Sequence, residues 1–169
     1  MNAPHQPLVR AGIFLGIGMG GFFDGIVLHQ LLQTHNMLSA VVPKTSIPNM
    51  EINMFWDGLF HALTWTMTLI GIALLWRAGR QRDVAWSGKA LTAAMFLGWG
   101  LFNFVEGLID HILLNIHHVI ERLGQSVYDY AFLASGIVFM VAGWVTIRAV
   151  QNTEAARRAE GVSSPTSIR

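Results

Sequence analysis

Four long apolar runs, divided by short polar stretches, set the pattern of this chain: residues about 11–32, 54–76, 90–114 and 130–150. At a rise of about 1.5 Å per residue, each is long enough as a helix to cross a hydrocarbon layer of about 30 Å. The pattern predicts an all-α fold, a four-helix transmembrane bundle. The stretches between the runs fill in the remainder. Residues 1–10 read as an N-terminal tail, and 33–53, which hold Pro43 and Pro48, as an external loop lying over the bundle. Residues 77–89 read as a short basic loop and 151–169 as a disordered tail with a Ser/Pro-rich end. Trp56 and Trp76 near the ends of the second run suit anchoring at both interfaces. In the first run Gly12, Gly16 and Gly20 recur every fourth residue and lead to Asp24. That spacing predicts a seam along which another helix approaches closely, and makes this face a candidate for homo-oligomer contact.

Composition sharpens the picture. The chain is 53% hydrophobic and only 12% charged, against about 25% charged in ordinary soluble domains. Cysteine is absent, which removes disulfides, thiolate metal sites and cysteine nucleophiles together. A formal net charge of +1 without a basic patch gives no footprint for nucleic acid. Arg10, the 77–89 loop and the C-terminal stretch hold most of the Lys and Arg, with Lys44 and Arg122 on the other side. This bias predicts that both termini are cytoplasmic, N-in and C-in.

Against that apolar background the ionisable residues stand out, because such groups are costly within a bilayer and mark function by default. They fall in Asp24-Gly-Ile-Val-Leu-His29, in Asp57-Gly-Leu-Phe-His61, and in Asn103-Phe-Val-Glu106-Gly-Leu-Ile-Asp110-His111, which is followed by His117-His118. With the topology above, the helical rise sets Asp24, His61 and Glu106 in one layer. It sets His29, Asp57, Asp110 and His111 in a second layer nearer the outer surface, with His35, His117, His118 and Asp129 at the mouth. On an α-helical wheel Asn103, Glu106 and Asp110 share a face, as do Asp57 and His61, whereas His111 points about 140° from Glu106. His117 lies about 16 Å beyond Glu106 along a continuous helix. It reaches that carboxylate only if the helix ends near Asn115 and the chain folds back. Beyond the Asp-Gly…His echo, the sequence reads without an internal repeat.

Carboxylates and imidazoles without sulfur suit Fe, Zn, Cu or Mn, and a bundle core is a common place to assemble them. The candidate ligands are Asp24, His29, Asp57, His61, Glu106, Asp110 and His111, with His35, Asn103, His117 and His118 in a second rank. The Glu-x-x-His spacing of ferritin-like di-iron bundles is absent. Haem would need axial histidines from facing helices, which His29 or His61 with His111 could supply. No catalytic residue is singled out, and three readings stay open. One is a metal-dependent membrane enzyme. Another is an accessory protein that handles copper, iron or zinc, or binds haem, for a membrane complex. The third is a metal-free proton relay or structural membrane protein.

Taken together, the three motifs resemble a bacterial family of small predicted inner-membrane proteins classed as a domain of unknown function. The resemblance runs from about Arg10 to Arg148. It implies a four-span, multi-pass protein of the bacterial inner membrane, and supplies no reaction.

Overall fold

The computed structural model describes residues 5–163, with side chains as far as Arg157. It contains four helices long and apolar enough to cross a membrane, and no strand among the described residues. Helix α1 (Gln6–Phe23) opens with Pro7 in its first turn, where the missing N–H costs nothing. Helices α2 (Ile47–Gly79) and α3 (Gly88–Glu106) start at Ser46 and Ser87, whose hydroxyls accept from Asn49 and Ala90 N–H groups otherwise left without a partner. Helix α4 spans Val127–Ser163. Two boundaries depart from the hydropathy reading. The Ser46 cap and Pro48 begin α2 well before Met54, and α4 continues through residues expected to be tail. The outermost ends of both expected tails, 1–4 and 164–169, lie outside the described residues.

Helices α1 and α3 form the central pair, with α2 against α1 and α4 against α3; α2 meets α3 through side chains, Phe60 lying 5.9 Å from Phe102 between ring centroids. Glycine makes the central contact. A β-carbon at Gly16 would collide with the Met95 carbonyl oxygen, and one at Gly98 with the Ile13 carbonyl oxygen. Gly12 faces Ala94 and Gly20 faces Trp99 in the same seam. The glycine face of α1 is therefore covered by α3 of the same chain. This corrects its assignment to a second copy, although the spacing rule that exposed the seam holds. The outer faces of α2 and α4 expose Phe55, Leu63, Trp65 and Ile72, and Val138, Val141 and Trp144. Such belts belong against lipid, where every backbone group is already paired within its helix.

At one end of the bundle both central helices change their winding. Asp24–Leu31 and Gly107–Leu113 are π-helical continuations of α1 and α3. Leu32 N–H bonds Val27 O, and Leu114 N–H bonds Ile109 O, each five residues back. Each π-helix leads to a residue with positive φ, Gln33 at 51° and Asn115 at 49°. There the chain reverses and runs back over the end of the bundle. The α1–α2 loop thus lies over the end of the bundle, as expected, and is tied to the α3–α4 loop by Ala40 N–H to Ile116 O and Glu121 N–H to Thr34 O.

The opposite end carries its own tie. His5, expected in a loose tail, is buried, with Nδ1 2.6 Å from Ala85 O and Nε2 2.6 Å from Glu154 Oε2. It joins the N-terminus, the α2–α3 loop and α4.

Candidate metal centre

The π-helical turns decide the geometry. Bonding between residues five apart makes neighbours of positions that an α-helix would separate. Asp24 Oδ2 lies 3.0 Å from His29 Nε2, and Glu106 Oε1 lies 3.1 Å from His111 Nε2. His111, expected to point away from Glu106, therefore meets it. The glycine after each acid admits an aromatic ring from the flanking helix: Phe60 against Gly25 and Phe132 against Gly107. Those rings pack on the imidazoles, Phe60 on His29 at 5.5 Å and Phe132 on His111 at 5.3 Å between centroids.

From the flanking helices come two further acids. Asp57 Oδ1 is hydrogen-bonded to His29 Nδ1 at 3.0 Å, and Asp129 Oδ1 lies 3.3 Å from His111 Nδ1, which has no hydrogen-bond partner. Each acid is itself fixed by a loop amide, Met37 N–H to Asp57 at 2.8 Å and Val119 N–H to Asp129 at 2.9 Å. Asn36 also donates to Asp57. The reversed loops add the remaining imidazoles. His117 Nε2 sits 2.8 Å from Glu106 Oε1, the fold-back at Asn115 having removed the 16 Å separation of a continuous helix. His35 Nε2 lies 3.8 Å from Asp24 Oδ1. The rings of His35 and His117 stack at 4.7 Å and 6°. Neither is at a solvated mouth, since both are fully buried.

The two halves repeat one another. Asp24, His29, Gln33 and His35 stand at the same offsets as Glu106, His111, Asn115 and His117, and Asp57 has its counterpart in Asp129. The loops are even crossed reciprocally. His35 Nδ1 reaches Val119 O at 3.1 Å, while His117 Nδ1 reaches Met37 O at 3.0 Å. Thus a pseudo-two-fold axis runs between α1 and α3, and the sequence carries a repeat larger than the Asp-Gly…His echo. Asp129 is the member of this cluster that motif reading left out of the candidate ligands; its match to Asp57 is the signal that finds it.

A backbone carbonyl can only accept, so Nδ1 of His35 and of His117 must donate. If those rings are neutral, their Nε2 atoms carry lone pairs. A lone pair on His117 facing a carboxylate oxygen at 2.8 Å requires a cation between them, either a proton or a metal. Burial opposes a charge on His117, but the Glu106 carboxylate outweighs it and holds the imidazole above its ordinary value. Its counterpart His35 is pushed down to about 2 by burial, with further opposition from His117 and His29. Several inward-facing atoms have no hydrogen-bond partner: both oxygens of Asp24, Glu106 Oε2, and Nε2 of His29, His35 and His111. Ligand atoms of His29, His35 and His117 lie within 4.8 Å of one another, as do those of Glu106, His111 and His117.

Some expected ligands stand apart. His61 is half-buried beside Gly25, its ring against Phe22 and Phe60. Asn103 donates to Ser135 Oγ at 3.0 Å, joining α3 to α4. His118 Nδ1 is 3.6 Å from Asp129 Oδ1, at the edge of the cluster.

The family model described as "Predicted membrane protein (DUF2243)" matches residues 11–150, which include every acid and imidazole of the cluster. The chain belongs to the DUF2243 family. Comparison with curated proteins and with solved structures gives no match. In this DUF2243 chain Asp110 lies outside both ligand groups. It lines, with Glu106, a cavity of about 430 Å³ between α2 and α3, whose other walls include Phe60, Leu63, Met67, Leu101 and Val105.

Proposed function

We propose that the chain binds transition metal in this cluster, one ion in each half. Asp24, His29 and His35 are the ligands of the first ion, and Glu106, His111 and His117 those of the second. Asp57 and Asp129 orient His29 and His111 from behind, the carboxylate–histidine–metal arrangement that fixes tautomer and ring angle. Two imidazoles and one carboxylate per ion leave coordination positions open, the donor set used by non-haem iron and compatible with zinc, copper or manganese. The observation that carries the reading is that Nδ1 of His29, His35 and His117 is committed to an acceptor while that of His111 lies 3.3 Å from Asp129. This turns four Nε2 atoms toward two carboxylates in a region from which water is largely excluded, so that a cation must reconcile them. The basic 77–89 loop supports an orientation in which this end faces away from the cytoplasm.

Elemental analysis of the detergent-purified protein tests this. Wild type should carry close to two transition-metal ions per chain, and His29→Ala and His111→Ala should each lose about one while keeping their helical circular dichroism. Folded wild type that contains no metal and takes up none on incubation with Fe, Zn, Cu or Mn salts would leave protonated imidazoles as the cations, and with them a proton-relay role.

A further inference from the structure

The pseudo-two-fold does not extend to the filling of the two clefts, and this difference opens a path to the centre. The cleft between α2 and α3 has Ile17 of α1 at its floor and Met67 and Val105 among its walls. At the matching positions of the other half stand Phe139 for Met67, Phe23 for Val105 and Trp99 for Ile17, each larger. These three pack together, Trp99 lying 5.5 Å from Phe23 and 6.0 Å from Phe139 between centroids. One cleft is filled by aromatic side chains, while the other holds a cavity of about 430 Å³, within the range of about 300–1,000 Å³ typical of small-molecule sites. The difference extends to the polar end. Asp110 lines the open cleft, and its counterpart in the filled one is Leu28. Glu106 lines it as well, with Oε2 buried and unpaired.

We propose that the α2–α3 cleft binds a membrane-dissolved molecule with an apolar body and a neutral hydroxyl head, whose O–H donates to Asp110 beside Glu106 at the edge of the metal centre. The apolar walls, and the exposed Leu63, Leu101 and Val105 at the rim, set a lateral entrance from the bilayer. A carboxyl group offers acceptor oxygen in either protonation state, so the matching head is a donor. A charged head would lose its hydration on passing the apolar walls, which favours a neutral one. This assignment rests on the metal reading in naming the substrate class of that same centre.

The test uses full-length protein in lipid nanodiscs and a long-chain primary alcohol bearing a diazirine and an alkyne tag, with its methyl ether as comparison. Cross-linked peptides are mapped by mass spectrometry, and metal is measured on the same samples. Labels from the alcohol should concentrate on the α2 and α3 walls, and the ether should label these about tenfold less, the loss expected for one hydrogen bond. Ile17→Trp and Val105→Phe, made separately, should reduce wall labelling at least severalfold without changing metal content. Asp110→Leu should make the alcohol label no better than the ether. Labels spread evenly over the outer faces of α2 and α4, indifferent to head group and to these variants, would mean ordinary lipid contact and overturn the proposal, whatever the metal content. Selective labelling of a protein that carries no metal would sink the metal reading and leave the cleft assignment standing.

Discussion

An imidazole pinned at Nδ1 offers one lone pair in one direction, so the residues behind the histidines govern the site as much as those in front. Asp57 and Asp129 act in this way. Asparagine in place of either keeps the shape but loses the charge behind the ring. Asp129→Asn should weaken metal binding in its half by about 10- to 100-fold, and Asp57→Asn should do the same in the other, as measured by chelator competition. Asn115, with its φ of 49°, makes the reversal that returns His117 to Glu106. A β-branched side chain is strained there, so Asn115→Val should cost about 1–3 kcal/mol in thermal unfolding and lower metal content, whereas Asn115→Gly should keep both. The sequence made this fold-back a stated condition for His117 to serve Glu106. It did not reveal that the condition is met, because the backbone angle of an asparagine is set by the loop around it.

At the scale of the helix, the four apolar runs were legible because length and hydropathy alone decide them, and the boundaries moved most where Pro7 and the Ser46 cap start α1 and α2 early and where α4 runs on past Val150. The phase of the ligands was not legible. A wheel turned at 100° per residue sends His111 away from Glu106, and that outcome changes once the last turns of α1 and α3 widen to five-residue bonding, whereas His61 keeps its α-helical spacing from Asp57 on α2 and meets Phe22, Phe60 and Gly25 instead of the cluster. The glycines give the sharpest test of helix packing. Gly16→Ala thrusts a methyl group onto the Met95 carbonyl and should force α1 and α3 apart, at a cost of about 1–3 kcal/mol or more. Gly58→Ala, which meets nothing within 4 Å, should leave thermal unfolding in detergent unchanged or slightly improved by the better helix propensity of alanine.

Across the whole molecule, the internal repeat escaped the sequence because Asp57 lies deeper into α2 than Asp129 lies into α4, which adds to a slightly longer α1–α2 loop. The offset that matches Asp24 with Glu106 therefore fails to match Asp57 with Asp129, and no single shift reveals both. The asymmetry of the two clefts was equally hidden, since Ile17 and Trp99 are both ordinary choices in an apolar run. Orientation remains a matter of charge, and the absence of native cysteine makes it simple to measure. Lys44→Cys should react with a membrane-impermeant maleimide in intact cells, and Arg82→Cys only after permeabilisation. The reverse pattern would turn the cluster toward the cytoplasm.

The crossed carbonyls also bear on how the molecule comes together. Because His35 is steered by Val119 and His117 by Met37, each hairpin completes its ligand set with a strut borrowed from the other. A nascent first hairpin would have Asp24 and His29 in place but no acceptor from Val119 to aim His35. On the proposed metal reading, neither half of the site is complete until both hairpins have docked.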